Sequence, residues 1–240
     1  MKKITLLFVI FTIPLFLMAQ NISFVPKVNR TLELMTTVFR LAGDQDFINN
    51  NFEGYTSHID RHFGRFNQHE VIQMAQRMKQ QYHFSSQDVM DLALMLKDEK
   101  DVFVYNNNIT TNHFSKLFSK DSIEKFVILL NDFYTISYFQ MFFNHMEEDI
   151  IIAENNFAAA LSEIRFEEIV PKMKANQHKT YTIFLSLSNG NHHYFSHLKN
   201  KSGNDAYYAI VGTTTVNEDD APIYSASVIK PLLQQLFDTK

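Results

Sequence analysis

Between Val28 and about Ala175, the apolar residues of this chain recur at spacings of three and four positions. Residues at these spacings lie on one face of an α-helix, so the pattern predicts a helical region with one buried stripe along each helix. Two Asn-rich stretches, 49–51 and 106–108, predict loops between helices. We therefore expect a set of amphipathic helices that pack around a shared core.

Several of these helices can be identified from their first residues and their apolar stripes. Ser85 and Asp88 have the spacing of a capping pair that opens a helix, and Asp121 or Ser122 is expected to cap another. The predicted stripes comprise Val28, Leu32, Met35 and Phe39; Val71, Met74, Ala75, Met78 and Tyr82; Val89, Leu92, Ala93 and Leu96; Ile123, Phe126, Val127, Leu130 and Phe133; and a long stripe from Phe139 to Leu161.

After Pro171 the period changes from that of a helix to that of a strand. Apolar and polar residues alternate from Tyr181 to Leu187, which predicts a half-buried strand followed by a turn at Asn189 and Gly190. The run Ala206–Gly212 is continuously apolar, so it predicts a strand that is covered on both faces. The change of period separates a helical part from a mixed α/β part.

The last residues predict a short helix over 225–237, with Pro231 in its first turn. The fold class expected for the whole chain is therefore α+β, with a mainly helical N-terminal part followed by a small sheet and a short C-terminal helix. We place the boundary near Asn176, so that residues 20–175 form the helical part and residues 176–240 the mixed part.

The first nineteen residues have the pattern of a cleavable signal peptide. Lys2 and Lys3 precede a nearly unbroken apolar stretch, Ile4–Met18, and Ala19 supplies the small residue that signal peptidase requires. An apolar core of about 15 residues is shorter than the roughly 20 that span a bilayer, so we expect cleavage rather than a membrane anchor. The product is expected to be periplasmic or extracellular, with no membrane span and, because cysteine is absent, no disulfide.

Charge and motifs limit the classes of function. The chain carries 22 basic and 26 acidic residues, a net charge of -4, so no nucleic-acid partner is implied. It contains no thiol, no G-x-S-x-G elbow and no glycine-rich phosphate loop, so nucleophilic catalysis and nucleotide binding are not supported. The acidic run Glu218–Asp220 lacks the spaced ligands of a calcium loop and predicts a solvated hairpin tip.

Two groups of histidines are candidate metal ligands. His58 and His62 are four residues apart in a predicted helix, but the surrounding sequence is polar, and exposed histidines on such a face are the common case. His192, His193 and His197 follow the turn at Asn189, and they remain an alternative site for zinc or copper. A surface loop is the ordinary explanation for these histidines, so the residues alone assign no catalytic or cofactor-binding role.

Several stretches, in this order, resemble a domain-of-unknown-function family of exported bacterial proteins taken to be zinc metallopeptidases. The resembling segments are Asn29–Gly43, Tyr55–Leu96, the Asp132-Phe133-Tyr134 segment, YTIFLSLSNGN at 181–191 and AYYAIVGT at 206–213. They cover most of the chain after the signal peptide. The resemblance implies an α+β fold, export and, in full-length members, a zinc site on a helix after the last strand.

The resemblance also identifies where that zinc site should lie. Full-length members continue from the last strand into ILPTLxHExxH, in which two histidines bind zinc and the glutamate acts as the base. The matching stretch here is 228–239, where Gln235 and Thr239 occupy the ligand positions and Leu236 the base position. A third ligand from a later element would have to follow Lys240. No catalytic residue and no cofactor are therefore expected in this chain.

Three hypotheses follow from these observations. The first is an exported, non-catalytic member or truncated product of that family, which serves as a binding or scaffold module with a peptide or protein as its partner. The second is a fragment of an active zinc-dependent peptidase. The third is a metal-binding or interaction protein that acts through His192, His193 and His197.

Overall fold

The computed structural model describes residues 22–49, 51–110, 119–165, 169 and 179–238. The predicted signal peptide, residues 1–19, lies outside the described residues. The described strands are β1 (Ile22–Val28), β2 (Leu96–Asp98), β3 (Phe103–Tyr105), β4 (Ile109–Thr110), β5 (Lys179–Leu185), β6 (Tyr194–Asn200) and β7 (Asp205–Val211). The described helices are α1 (Arg30–Leu41), α2 (Gln45–Ile48), α3 (Glu53–Phe63), α4 (Glu70–Tyr82), α5 (Ser86–Leu94), α6 (Lys120–Ile136), α7 (Phe139–His145), α8 (Glu147–Ser162) and α9 (Ala226–Asp238).

The fold is α+β, and its main sheet has five strands in the order β1-β5-β7-β6-β4. Strands β1, β5 and β7 are parallel, whereas β6 is antiparallel to both β7 and β4. Strands β2 and β3 form a separate two-stranded hairpin. Because β1 and β4 come from the mainly helical part of the sequence, the sheet joins both parts of the chain.

Helices cover the sheet on both faces. The Phe237 ring of α9 lies 5.1 Å from the Tyr181 ring, which stacks on Tyr207. On the other face, Gln87 of α5 donates a hydrogen bond at 3.1 Å to Ser196, which pairs with Tyr208. Since successive strand residues point to opposite faces, Tyr207 and Tyr208 mark the two layers.

The helical layer is held together mainly by phenylalanine. The Phe63 ring of α3 lies 5.4 Å from Phe139 and 5.9 Å from Phe133, and all three side chains are fully buried. The Phe39 ring of α1 lies 6.1 Å from Phe126 of α6. These contacts explain the abundance of phenylalanine, because each ring buries a large apolar area at helical spacing.

Several predictions of local structure are confirmed. Ser85 and Asp88 form a reciprocal capping box at the start of α5, as their spacing indicates. Strand β5 has the expected alternation, and β7 is buried along most of its length. Glu218 and Asp219 are exposed in the turn between Val216 and Pro222, as expected of a solvated tip, whereas Asp220 is half-buried.

Other boundaries differ from the prediction. Val28 ends β1 rather than beginning a helix, and Asn29 caps α1 by accepting a hydrogen bond from the Leu32 N–H. Leu96 belongs to β2, and Ser119, not Asp121 or Ser122, caps α6. In each case a side-chain cap or a strand pairing determines where the helix begins or ends. The periodic apolar residues continue beyond that point, so they do not mark it.

Two elements near the C-terminus also differ. After Gly190, where a surface loop is the ordinary explanation of the histidines, residues Tyr194–Asn200 instead form β6 between β7 and β4. Pro231 lies inside α9, several residues after its start at Ala226, rather than in the first turn. Proline has no N–H, so α9 lacks one internal hydrogen bond at this position.

Candidate functional site

The carboxyl ends of the parallel strands β1, β5 and β7 meet at one end of the main sheet. In open sheets binding sites form at this end, because loops and helix N-termini converge there. The chain leaves β1 through Asn29 into α1, leaves β5 through residues 186–189, and leaves β7 through Gly212 and Thr213. These three segments form the candidate site.

Glu33, in the first turn of α1, is the charged residue of this region, and it is only 1% exposed. Its carboxylate accepts hydrogen bonds from the Leu187 N–H at 2.7 Å, the Ser188 hydroxyl group at 2.6 Å and the Tyr55 hydroxyl group at 3.1 Å. One carboxylate thus joins α1, α3 and the segment after β5.

Burial raises the pKa of Glu33 above its ordinary value, because water does not solvate its charge. The hydrogen bonds from Ser188 and the Leu187 N–H favour the charged form and oppose this shift, but the effect of burial is larger. Burial also raises the pKa of Tyr55 well above its ordinary value, and the nearby Glu33 carboxylate adds to that shift. A phenol that keeps its proton therefore lies beside a carboxyl group that is costly to ionise.

Further buried hydroxyl groups surround this carboxylate. Thr36 shares a hydrogen bond with Ser188, and both side chains are fully buried. The hydroxyl groups of Ser186 and Tyr224 lie near Glu33, but neither meets hydrogen-bond geometry with any of the described residues. Burial raises the pKa of Tyr224 to about 12. We call the following residues the Glu33 cluster: Glu33, Thr36, Tyr55, Ser186, Leu187, Ser188 and Tyr224.

The helix that carries Tyr55 is stabilised by a residue from the segment after β7. Phe52 precedes α3 and its side chain makes no capping hydrogen bond, so the Asp220 carboxylate takes that role by accepting from the Gly54 N–H at 2.7 Å. A carboxylate at this end of a helix also interacts favourably with the helix dipole. A Cβ atom at position 54 would collide with the Asp220 carboxylate, so a larger residue there would displace this cap.

The Glu33 cluster is sealed from solvent, and this limits its chemistry. A carboxylate that accepts from the Leu187 N–H and the Ser188 hydroxyl group fixes the backbone that follows β5, but it does not face a substrate. Hydrogen bonds to Glu33 come from neutral groups in the described part of the chain. The arrangement fixes the position of the turn at 186–190. It also buries the Glu33 carboxylate with no positively charged hydrogen-bond donor among the described residues.

His192 and His193 follow that turn and have different partners. His192 Nε2 lies 3.8 Å from Asp46 Oδ1. His193 Nδ1 accepts a hydrogen bond from the Gly212 N–H at 3.3 Å, and burial lowers the pKa of His193. His193 is thus held as a neutral acceptor against the end of β7, whereas His192 faces a carboxylate of α2.

His197 lies on β6, where its Nε2 is 2.8 Å from Asp205 Oδ1 and its ring stacks on Tyr207. Four residues of extended strand place it roughly 13 Å along the chain from His193. In the described ranges no group of three His, Cys, Asp or Glu side chains is arranged to hold a metal ion. The structure therefore gives His192, His193 and His197 three separate environments.

The other histidine pair also lies in two environments, although both residues belong to α3. His62 Nε2 lies 3.0 Å from the Ser137 carbonyl oxygen, and its ring contacts Phe142. Burial raises the pKa of the Asp149 carboxyl group, and His58 lies near enough to oppose that shift. His62 thus contributes to packing between helices.

Helix α9 occupies the place that the resemblance gives to the metal-binding helix. Gln235 is exposed, and Leu236 is 1% exposed among the apolar side chains that α9 buries. Phe237, the next residue, packs on Tyr181 of β5. Thr239 lies outside the described residues. The side chain at the expected base position therefore belongs to the hydrophobic core.

Comparison with known proteins finds no matching family model, no matching curated protein and no matching solved structure. Among the described helices, none is long and apolar enough by itself to span a membrane; α6 and α7, bent by 60°, pass that test only as a pair.

The Glu33 cluster has no counterpart in the sequence-based predictions. A single glutamate next to the apolar stripe of an amphipathic helix usually faces solvent. The sequence therefore does not indicate that Glu33 is buried. The alternation of Ser186, Leu187 and Ser188 indicates a strand end, but only the fold shows that it meets α1. Asp220 was predicted at a solvated tip, and its bond to Gly54 depends on the same long-range packing.

Proposed function

We propose that this chain is an exported, non-catalytic binding module related to the metallopeptidase-like family. The observation that carries the proposal is the burial of Leu236 at the position of the catalytic base. A leucine side chain cannot accept a proton from metal-bound water, and Gln235 at the first ligand position is a weak zinc ligand compared with histidine. Export is supported by the signal-peptide pattern of residues 1–19.

Helix α9 has a packing role in this proposal. Its buried side chains, Ile229, Leu233, Leu236 and Phe237, face the sheet and α8. The Phe237 ring fixes its C-terminal turn against Tyr181. A helix that donates zinc ligands would instead direct polar side chains to the position that Leu236 fills with an aliphatic one.

The experiment measures bound zinc and peptide hydrolysis in the chain purified after export from a bacterial host. We expect no chelator-sensitive hydrolysis of a fluorogenic casein substrate, with zinc supplied. Hydrolysis that a chelator abolishes would overturn the proposal.

A matched pair of variants tests the role of α9 directly. Leu236→Glu supplies the missing carboxylate, but it should reduce the free energy of unfolding by about 3 kcal/mol because a charge is buried without a partner. Gln235→Ala, at the exposed neighbouring position, should change it by less than about 0.5 kcal/mol. Equal effects of the two substitutions on urea unfolding would contradict a packing role for Leu236.

A further inference from the structure

A cleft of about 280 Å³ lies at the end of the main sheet opposite the Glu33 cluster. Thr180 and Ala206, near the amino ends of β5 and β7, and Leu198 of β6 form part of its floor. The hairpin residue Lys97 and the turn between β3 and β4 form its other side. The cleft is open to solvent and its volume is near the lower end of the range for small-ligand sites.

The floor of this cleft combines apolar side chains with one aromatic ring. Tyr208 of β7 lines it and is half-buried, and burial raises the pKa of its phenol. Phe184 of β5 stacks on the Tyr208 ring, with centroids 6.1 Å apart and planes 12° apart. Leu198 and Ala206 pair across β6 and β7 beside this ring. A flat ligand with an apolar face therefore meets a supported aromatic surface.

The rim of the cleft is rich in carboxamides. Four asparagines line it, namely Asn106, Asn108, Asn200 and Asn204. We call this site the amide cleft. Each carboxamide carries an acceptor oxygen and an N–H₂ donor on the same carbon atom, so it can bind two adjacent hydroxyl groups of a ligand.

The backbone that carries these asparagines is held in place before any ligand binds. The Asn106 side-chain oxygen accepts from the Asn108 N–H at 3.2 Å, and the Asn200 side-chain oxygen accepts from the Asn204 N–H at 2.8 Å. The Lys201 N–H donates to the Asn108 carbonyl oxygen at 2.9 Å and joins the two turns. Such preorganisation lowers the entropic cost of binding.

The two charged side chains that line the cleft, Lys97 and Asp205, differ in their partners. Lys97 forms no ion pair with the residues that the structure describes, and it is exposed at the cleft. Asp205, the one carboxylate of the lining, is within 2.8 Å of His197 Nε2. A negatively charged group on a ligand therefore finds an available cation at Lys97.

We propose that the amide cleft binds a saccharide unit, with the C–H face of the sugar ring against Tyr208 and its hydroxyl groups against the asparagine side chains. The exposed ammonium group of Lys97 selects a sugar that carries a carboxylate. A peptide fits less well, because it needs a strand edge for its alternating N–H and C=O groups, and the floor here is a sheet face. This inference names the ligand of the binding module proposed above and rests on that function.

Glucuronate and glucose are suitable probes, because they differ in whether one ring substituent is a carboxylate or a hydroxymethyl group. Titration of the full chain, followed by the NMR signals of the protein, should show saturable binding of both sugars with a Kd of about 1 mM or weaker. Glucuronate should bind about fivefold more tightly, which corresponds to one exposed charge contact.

Two exposed positions test the site without endangering the fold. Asn108→Ala should weaken both sugars by about fivefold, because one hydrogen-bonding group is lost. Lys97→Ala should remove the preference for glucuronate and leave the binding of glucose unchanged. Asn155→Ala, at an exposed asparagine on α8 that does not line the cleft, serves as the matched control and should have no effect.

The inference is overturned if neither sugar binds at roughly 50 mM, or if Asn108→Ala and Lys97→Ala bind like the unchanged chain. Binding of a tetraalanine peptide in place of both sugars would also overturn it. These outcomes differ from failure of the proposed function, which would appear as chelator-sensitive peptide hydrolysis whether or not sugars bind.

Discussion

The two ends of the main sheet use polar side chains in opposite ways. At the carboxyl ends of β1, β5 and β7, the Glu33 carboxylate is buried and receives hydrogen bonds from two hydroxyl groups and one backbone N–H. At the other end, the asparagines of the amide cleft border an open volume of about 280 Å³. The first set is enclosed by the protein, and the second faces solvent.

This difference shows that position at the carboxyl end of parallel strands does not by itself make a ligand site. Here the segment after β7 and helix α3 close that end, and Asp220 fixes the closure by its hydrogen bond to the Gly54 N–H. The opposite end keeps an open cleft, bordered by the hairpin residue Lys97 and by the turn between β3 and β4. Substitutions at the sealed end should therefore change stability, whereas those at the open end should change binding.

Glu33→Ala should have the largest effect of the substitutions considered. It leaves the Leu187 N–H and the Ser188 and Tyr55 hydroxyl groups without their acceptor inside the protein, so we expect a loss of about 3 kcal/mol in the free energy of unfolding. Urea unfolding followed by circular dichroism measures this change. A loss of unfolding free energy no larger than that of an ordinary surface substitution would contradict the difference proposed between the two ends of the sheet.

The second prediction concerns pH and uses Glu33→Gln as the variant. Because the pKa of Glu33 is raised in the folded state, the native protein binds this proton more tightly than the unfolded chain does. The contribution of Glu33 to stability is therefore complete below the unfolded pKa and is lost as pH rises toward the folded pKa.

Urea unfolding at a series of pH values should show this decline in the unchanged chain and a smaller decline in Glu33→Gln, whose side chain does not titrate. If both proteins have the same pH profile, the ionisation of Glu33 does not contribute to stability and the sealed end holds no costly charge.

Asp220→Ala should have an intermediate effect, of about 1 kcal/mol, because α3 loses the only cap that a side chain supplies to its described start. The free energy of unfolding measures the loss. Asp219→Ala is the matched control, since Asp219 is an exposed neighbour in the same turn, and it should change stability by less than about 0.5 kcal/mol.

The smallest effect is expected at the amide cleft. Asn108→Ala should alter the free energy of unfolding by less than about 0.5 kcal/mol, because its side chain is exposed. Asn189→Ala removes the same group at the sealed end, where the residue is fully buried and donates to the His192 carbonyl oxygen at 3.3 Å, so it should cost about 1–2 kcal/mol. Similar losses at the two asparagines would contradict the comparison.

The sequence predicts the elements whose stabilising contacts are local. The Ser85–Asp88 capping box depends on residues three apart, and the alternation of β5 depends on one buried face, so both are visible in the pattern. Strand β1 is not visible in the pattern, because residues 22–28 contain a proline and form a strand through their pairing with the distant β5. Strand β6 buries Tyr194, Ser196 and Leu198 in alternation, but the serine and the adjacent histidines weaken that alternation in the sequence.

The sites were predicted less completely than the fold, since they depend on contacts between distant residues. Glu33 meets Leu187 and Ser188 across the fold, and no local pattern distinguishes a buried glutamate from an exposed one on the same helix. The asparagines at 106–108 were correctly expected in a loop, but their proximity to Asn200 and Asn204 follows from the pairing of β4 with β6.

The pairing of β1 with β5 sets the order in which this protein can mature. On the proposed export route the chain is threaded with its N-terminus first, so β1 emerges early and finds its parallel partner only when Lys179–Leu185 have followed. Glu33 meets Leu187 later still. Contacts of such long range form slowly. On that route, the main sheet would be completed only after residues 179–187 have been translocated.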